Sequence, residues 1–218
     1  MEDKRNNQAI EPKGGDLTRQ TVDRPLIIAS PHLILASGSQ RRAEILRTVR
    51  WHFEMMAMDI DESRRAGEDA VNYVERLALA KAEAAASSVP GATIIGADTI
   101  VVIEEKILGK PCDDDDARQM LRMLRGRWHQ VLTGIALIDG KTSQSRVAHE
   151  MTDVKFAAMS EDEINWYVAT GEPMDKAGAY AIQGIGARFI EGIKGDYFNV
   201  VGLPVRLLYK LIGAIARP

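Results

Sequence analysis

Apolar residues follow two different patterns along this chain, which together predict a protein of mixed helices and strands. Continuous runs rich in Val and Ile predict strands, and apolar residues repeating every three to four positions predict helices. By residue number, the predicted order is strand 33–37, helix 40–50, strand 51–58, helix 68–87, strand 93–103, a short hairpin to 108, helix 113–125, strands 128–138 and 146–158, a helix from 160, glycine-rich strands and loops over 171–204, and helix 203–215. This alternation favours an α/β fold.

The chain divides into two parts by composition. Residues 1–30 show no hydrophobic period and are rich in charge, Asn, Gln and Gly, so we predict a disordered N-terminal tail. Residues 31–218 contain no internal repeat and no long linker, which indicates one continuous domain.

Composition narrows the kind of partner and compartment. The net charge is −3, so no overall positive field recruits nucleic acid, and an anion site has to be a local basic cluster. Cys112 is the only cysteine, which excludes an intrachain disulfide and favours a reducing compartment. No apolar run is long enough to span a membrane, and the polar start is unlike a secretion signal. We therefore expect a cytoplasmic protein with neither a membrane nor a nucleic-acid partner.

The most informative local pattern is the segment Leu33–Arg47. A short apolar strand leads into the turn Ser37-Gly-Ser39, and Arg41 and Arg42 then open an amphipathic helix. Hydroxyls, free backbone N–H groups, two guanidinium groups and the positive end of a helix dipole suit a phosphate chain. The alternative is an ordinary strand-to-helix connection with solvated arginines, and this segment alone does not decide between the two.

Asp98 is out of place because it lies in the middle of the apolar strand 93–103. A buried carboxylate without a partner is strongly unfavourable, so Asp98 has to meet cations, a metal or hydrogen-bond donors. A structural role beside an arginine or at a loop is the alternative. Gly96 indicates a bulge or a close approach nearby, which favours a ligand near Asp98.

Lys81 is the second charge in an apolar pattern, since it lies in the centre of the apolar stripe of helix 68–87. Either it extends past the edge of the core to water, or it points into the space shared by Asp98 and the Arg41–Arg42 turn. In the second case it completes a phosphate site.

Weaker signals come from turns and loops. Lys110 stands in the rigid turn Gly109-Lys-Pro111, while Asp61 and Glu62 follow the second strand as surface charges or as ligands of a hard cation. Gln183 lies among glycines that allow close approach to a planar ligand, and its amide both donates and accepts. A pair of glycine-bearing hairpins is the alternative for that segment.

The histidines argue against zinc chemistry. They stand at positions 32, 52, 129 and 149 and form no metal-binding spacing, and His129 at a strand start suits a structural role. A site of carboxylates and basic residues instead suits Mg²⁺ or Mn²⁺ bridging phosphate oxygens.

Five motifs in fixed order resemble the Maf family of nucleoside triphosphate pyrophosphatases, from about Leu33 to the C-terminal helix. They are Ser37-Gly-Ser-Gln-Arg-Arg42, Gly96-Ala-Asp-Thr99, Gly109-Lys-Pro111, Gly171-Glu-Pro-Met-Asp-Lys-Ala-Gly-Ala-Tyr180 and Gly195-Asp-Tyr-Phe-Asn-Val-Val-Gly-Leu-Pro204. One departure is Gln40, where the family usually has the proline that pre-sets a first helical turn.

The resemblance implies an α/β fold with an elongated mixed β-sheet in two lobes flanked by helices, related to the inosine triphosphate pyrophosphatases. It implies hydrolysis between the α- and β-phosphates, giving a nucleoside monophosphate and pyrophosphate with Mg²⁺ or Mn²⁺, and so removal of non-canonical or excess nucleotides. It also leaves room for a homodimer. The implied residues are Asp98 for acid/base catalysis, Arg41, Thr99 and Gln183 for specificity, and Ser39, Arg42, Lys81 and Lys110 for the phosphates. From the chemistry of their carboxylates, we predict Asp98 and Glu62 as the metal ligands.

Within the family, Gln183 and the ending from Asp196 resemble the dTTP/UTP type. The 7-methyl-GTP type usually carries an acidic residue at the Gln183 position. An amide can donate to a pyrimidine carbonyl, whereas a carboxylate suits the donor edge of guanine. Other functions open to this sequence are a nucleotidyl- or phosphoryl-transferase with the same phosphate site, and a non-catalytic, nucleotide-binding regulator of cell division.

Overall fold

A computed structural model describes residues 32–215, so the predicted disordered tail lies outside the described residues. The strands are β1 (Leu33–Ala36), β2 (Glu54–Met55), β3 (Thr93–Ile103), β4 (Lys106–Leu108), β5 (Trp128–Asp139), β6 (Ser145–Phe156) and β7 (Ile190–Lys194). The helices are α1 (Gln40–Thr48), α2 (Ala70–Ala86), α3 (Asp114–Leu124), α4 (Glu161–Ala169), α5 (Tyr197–Val201) and α6 (Val205–Ile215), with 3₁₀ turns at Glu172–Asp175, Ala177–Ala179 and Ile185–Phe189.

The seven strands of residues 32–215 form one mixed sheet, which confirms the predicted fold class. The order is β2-β1-β3-β5-β6-β7, and β4 pairs with the end of β3. The β1 pairings with β2 and β3 are parallel, while the others are antiparallel. β3 contains 11 residues, which at roughly 3.3 Å per residue is about 36 Å of strand. The sheet is therefore elongated along β3 and β5.

The buried apolar side chains of residues 32–215 form four clusters along this sheet, which divide between the two predicted lobes. In the first lobe α2 covers one face, and α1 and α6 cover the other, so its strands are apolar on both faces. In the second lobe α3 and α4 pack on the far ends of β3, β5 and β6 around Leu121, Phe156 and Tyr167. β3 and β5 run through both lobes.

Two predicted elements differ from the structure. The strand predicted over 51–58 is only two residues long, because after Met55 the chain leaves the sheet for the loop that leads to α2. The segment 171–204 was predicted as glycine-rich strands and loops, and besides strand β7 it contains 3₁₀ turns and the short helix α5; it does not form the alternative pair of hairpins. Gly171, Gly178 and Gly184 have positive φ, and these break an extended path.

Within residues 32–215, no helix is both long enough and apolar enough to cross a membrane.

Helix α2 lies very close to the sheet because two glycines face it. A Cβ at Gly96 would lie 2.0 Å from the carbonyl oxygen of Ala78, and one at Gly134 would lie 2.3 Å from that of Val74. Gly96 pairs in register with Ala136, so the predicted close approach is realised here without a bulge at this position. The approaching group is the backbone of α2, and this brings that helix down onto β3.

We expect Gly96→Ala to lower the free energy of unfolding by about 3 kcal/mol, at the upper end of typical overpacking costs. The added methyl group meets helix backbone, which cannot move aside as the end of a side chain can. Gly192→Ala in β7 is the matched control, because its Cβ would have no neighbour within 4 Å. Urea unfolding measures both, and equal effects would contradict this account of the helix contact.

Candidate active site

A cleft lies where the two lobes meet, with a cavity volume of about 770 Å³. This size is within the usual range for sites that bind small molecules. The lining residues come from the β1–α1 turn, the loop before α2, α2, β3, the turn after β4 and the glycine-rich segment. They include all the predicted site residues, namely Ser39, Arg41, Arg42, Glu62, Lys81, Asp98, Thr99, Lys110 and Gln183.

The β1–α1 turn forms one wall of the cleft and exposes a helix N-terminus. Ser39 is the N-cap of α1 and accepts a hydrogen bond from the Arg42 N–H, while the Ser37 hydroxyl accepts one from the Ser39 N–H. The first turn of α1 contains no acidic residue, so its partial positive charge is not neutralised locally. α1 begins at Gln40, so the turn forms without the family's proline.

Arg42 has a role that the sequence did not indicate. Its partly buried guanidinium donates hydrogen bonds of 2.8–3.1 Å to four oxygens, those of Gly202 (O), Ser37 (Oγ), Ala97 (O) and Thr99 (Oγ1). One N–H of Nη2 remains for a ligand. Arg42 therefore ties α1 to β3 and to the end of α5, and it offers the cleft one donor and a charge.

Arg41 reaches across the cleft to the second half of the chain. Its Nη1 lies 3.1 Å from Oδ2 of Asp175, and about a third of its side chain is exposed. Asp175 also pairs with Lys176. Exposed ion pairs of this kind contribute little free energy, so a phosphate group can replace Asp175 as the partner of Arg41 at small cost.

At the centre of the cleft, Lys81 lies between two carboxylates. Its Nζ is 2.7 Å from Oδ1 of Asp98 and 2.7 Å from Oε1 of Glu62. The side chains of Lys81 and Asp98 are each only 11% exposed. Lys81 therefore points into the space beside Asp98, as the second sequence interpretation required, and the carboxylate on the apolar strand has its cationic partner.

Glu62 is ionised at neutral pH for a local electrostatic reason. Desolvation opposes its charge, but the hydrogen bond and charge of Lys81, with the charges of Lys110 and Arg42, keep the pKa of Glu62 below its ordinary value. Two carboxylates and several cations thus share one small volume.

The loop that carries Glu62 is fastened to α2 by residues that the sequence analysis missed. The Tyr73 hydroxyl donates to the Glu62 carbonyl oxygen at 2.7 Å. Arg76 pairs with both oxygens of Glu68 at 2.6 and 2.8 Å and donates to the Ser63 carbonyl oxygen. Tyr73 and Arg76 lie three positions apart on α2, which is the spacing of a shared helix face and the one signal available in the sequence.

Asp61 and His129 lie outside the lining of the cleft. Asp61 is exposed and accepts a hydrogen bond from the Ser63 N–H. His129 is buried with Nε2 2.7 Å from the Tyr180 hydroxyl, and burial lowers the pKa of His129 to about 4. It is neutral at pH 7 and supports the wall of the cleft through Tyr180.

The carboxylates set what kind of metal the cleft can hold. Across the described part of the chain, no group of three or more His, Cys, Asp and Glu side chains is arranged to hold an ion. A cation beside Asp98 and Glu62 would therefore need further oxygen ligands from phosphate and water, which is how Mg²⁺ is commonly bound.

Comparisons with known proteins confirm the family that the five ordered motifs resemble. The family model described as Maf-like protein matches residues 32–215. The dTTP/UTP pyrophosphatase of Symbiobacterium thermophilum is 50% identical over 186 residues, which are 85% of this chain and 95% of that protein. That of Koribacter versatilis is 49% identical over 83% of this chain and 92% of its own length. Among solved structures, the Ham1 protein of Staphylococcus aureus aligns at 17% identity with a TM-score of 0.48, over 84% of this chain and 99% of that one.

We expect Lys81→Met to lower the free energy of unfolding by about 3 kcal/mol, because it leaves Asp98 and Glu62 facing each other without their shared cation. The expected loss is at the low end for a broken buried pair, since the Glu62 side chain is half exposed. Lys141→Met on an exposed turn serves as the control.

The double variant Lys81→Met/Asp98→Asn separates this cause from lost packing. It removes one of the two facing charges, so it should regain part of the stability lost in the single variant. If the double variant is no more stable than Lys81→Met, the ion pair is not the source of the effect.

Proposed function

Because the chain belongs to the Maf-like protein family, we propose that it hydrolyses dTTP and UTP between the α- and β-phosphates, giving the nucleoside monophosphate and pyrophosphate. The observation that carries this proposal is the Asp98–Lys81–Glu62 centre, which lies in a cleft lined by further basic side chains. Relatives about half identical to this chain bear the name dTTP/UTP pyrophosphatase.

In this proposal the triphosphate lies along the basic groups of the first lobe. Arg41, Lys81 and Lys110 line the cleft, and the remaining donor of Arg42 and the N-terminus of α1 lie on the same wall. Negative charge grows on pyrophosphate as it leaves the α-phosphorus. Fixed cations and N–H groups at that end lower the energy of the transition state.

We propose that Asp98 and Glu62 hold the Mg²⁺ or Mn²⁺ that the family implies. The donor set fits such an ion, since both carboxylates already contact one positive charge, the ammonium of Lys81. A bound divalent ion supplies charge neutralisation of phosphate oxygens and acidifies a bound water. If such an ion neutralised the two carboxylates, Lys81 would be available to pair with a phosphate oxygen.

Asp98 is the group proposed to act on the attacking water. Its Oδ1 accepts from Lys81, and no residue of the described region donates to its Oδ2. Oδ2 can therefore accept a proton from water while the water oxygen bonds to the α-phosphorus and the bond to the pyrophosphate oxygen breaks. As a metal ligand, Asp98 would act through the same negative charge of its carboxylate.

The base is proposed to lie toward the glycine-rich segment. Gln183 is exposed on that wall and offers an amide donor and acceptor, which match the carbonyl and N–H groups of thymine and uracil. Thr99 lies on the floor, where its hydroxyl is held by Arg42 and Thr133. Arg41 borders the same end through its contact with Asp175.

We further propose that the enzyme acts on free nucleotides in the cytoplasm, as a monomer or a homodimer, with no membrane or nucleic-acid partner. The net charge of −3 and the single cysteine support this proposal.

We expect Asp98→Asn to reduce turnover of dTTP by roughly 10²-fold or more, the scale of a lost general base. The amide keeps the volume but neither accepts the proton nor supplies the charge. Asp153→Asn on β6, outside the lining of the cleft, is the matched control. Pyrophosphate release by proteins whose fold is verified by circular dichroism is the measurement, and near-normal turnover of Asp98→Asn would contradict the assignment.

We expect the wild-type protein to release pyrophosphate from dTTP and UTP with higher kcat/KM than from CTP, GTP or 7-methyl-GTP. Gln183→Glu should reverse part of this preference, because a carboxylate repels a pyrimidine carbonyl oxygen and leaves polar groups unpaired at about 1–3 kcal/mol each. Gln144→Glu on an exposed hairpin turn is the control.

These kinetics with Mg²⁺ or Mn²⁺ separate the parts of the proposal. A wild-type preference for 7-methyl-GTP would overturn the pyrimidine assignment but not the reaction. No pyrophosphate release from any nucleotide would overturn the reaction itself and favour a binding role.

A further inference from the structure

The backbone on the far side of Gln183 wraps around a single carboxylate. Oε2 of Glu172 accepts a hydrogen bond from the Ile185 N–H at 2.8 Å, and Oε1 accepts one from the Gly186 N–H at 2.8 Å. Two successive N–H groups converging on one anion form a backbone nest. These two hydrogen bonds to Glu172 therefore fix the conformation of the loop that follows Gln183.

Tyr167 completes this arrangement from inside the second lobe. Its hydroxyl donates to Oε1 of Glu172 at 2.8 Å and accepts from the Ala181 N–H at 3.2 Å. The tyrosine side chain is fully buried, and burial raises the pKa of its hydroxyl, so it stays a donor to the carboxylate. Glu172 and Tyr167 thus hold the chain on both sides of Gln183.

Two glycines are required for this close fit. Gly184 has a φ of +91°, and a Cβ there would lie 2.5 Å from Oε2 of Glu172. A Cβ at Gly186 would lie 2.5 Å from the Tyr167 hydroxyl oxygen. The sequence analysis interpreted these glycines as room for a planar ligand. In the structure, the Glu172 carboxylate occupies the space beside Gly184, and the Tyr167 hydroxyl occupies the space beside Gly186.

Gln183 itself has no such support. Its side chain is exposed and makes no hydrogen bond within residues 32–215. Its position against a ligand is therefore set by the backbone on either side, which Glu172 and Tyr167 fix.

We infer that Glu172 is a positioning residue for base selection, which holds the 181–186 loop so that the Gln183 amide meets the pyrimidine in one fixed place. The inference rests on the proposed role of Gln183. A side chain held in advance discriminates between bases, whereas one on a loose loop adapts to several. Loss of Glu172 should therefore lower selectivity more than it lowers turnover.

The direct test is Glu172→Gln, which keeps the size of the side chain but sets an amide group against N–H and O–H donors. The ratio of kcat/KM for dTTP to that for dGTP should fall about tenfold, the effect of one unpaired group. The value for dGTP itself should change little. Tyr167→Phe keeps the ring packing and should shift the ratio in the same direction, which covers the case in which Glu172→Gln fails to fold.

A double-mutant cycle asks whether Glu172 acts through Gln183. Gln183→Ala should lower the same ratio, and adding Glu172→Gln to it should lower the ratio no further. Glu163→Gln is the matched control, since that carboxylate also binds backbone and hydroxyl donors, but those donors belong to Ser160 at the start of α4 and not to the 181–186 loop. It should leave the ratio unchanged.

Several outcomes would overturn the inference. An equal loss for every nucleotide in Glu172→Gln would mark a purely structural role, and additive effects in the cycle would exclude action through Gln183. If the wild type prefers dTTP and Gln183→Ala abolishes that preference while Glu172→Gln retains it, only this inference fails. If the wild type shows no pyrimidine preference, the proposed base specificity fails first.

Discussion

The site depends on how closely helix α2 approaches the sheet. Gly96 and Gly134 present no side chain to the helix, so carbonyl oxygens of α2 occupy space that a Cβ would need. Because α2 lies this low, the Nζ of Lys81 reaches Oδ1 of Asp98 at 2.7 Å in a nearly water-free place. A helix held farther out would leave Asp98 buried without its cation, which is strongly unfavourable.

The cleft divides its chemistry between the two lobes. The charged end belongs to the first lobe, where α1, α2 and the Glu62 loop bring basic and acidic groups to β3. The end proposed for the base belongs to the glycine-rich segment, which Glu172 and Tyr167 attach to the second lobe. Arg41 crosses between them to Asp175. A nucleotide that binds along the cleft would therefore contact both lobes.

The hydrophobic pattern of the sequence predicted those features that depend on neighbouring residues in the chain and on the burial of single charges. The long strand Thr93–Ile103 was predicted with the bounds it has, and the isolated charges Asp98 and Lys81 identified the centre of the site because burial forces such groups to pair. Contacts between residues far apart in sequence left no such signal. Arg42 meets Gly202 across 160 positions, so its hydrogen-bonding role came only from the structure.

The glycine-rich segment was predicted only in outline for a related reason. Glycine permits turns, hairpins and close approach alike, and only the partners decide among them. Here the partners are the Glu172 carboxylate and the Tyr167 hydroxyl, and neither stands out by period or charge pattern.

The most direct test of the account is a crystal structure with a non-hydrolysable dUTP analogue that has nitrogen between the α- and β-phosphorus atoms. We expect the triphosphate to lie against Lys81 and Arg41 in the first lobe, with the α-phosphate beside Asp98 and the uracil within hydrogen-bond distance of Gln183. A nucleotide bound in the reverse direction, or bound outside this cleft, would contradict the account.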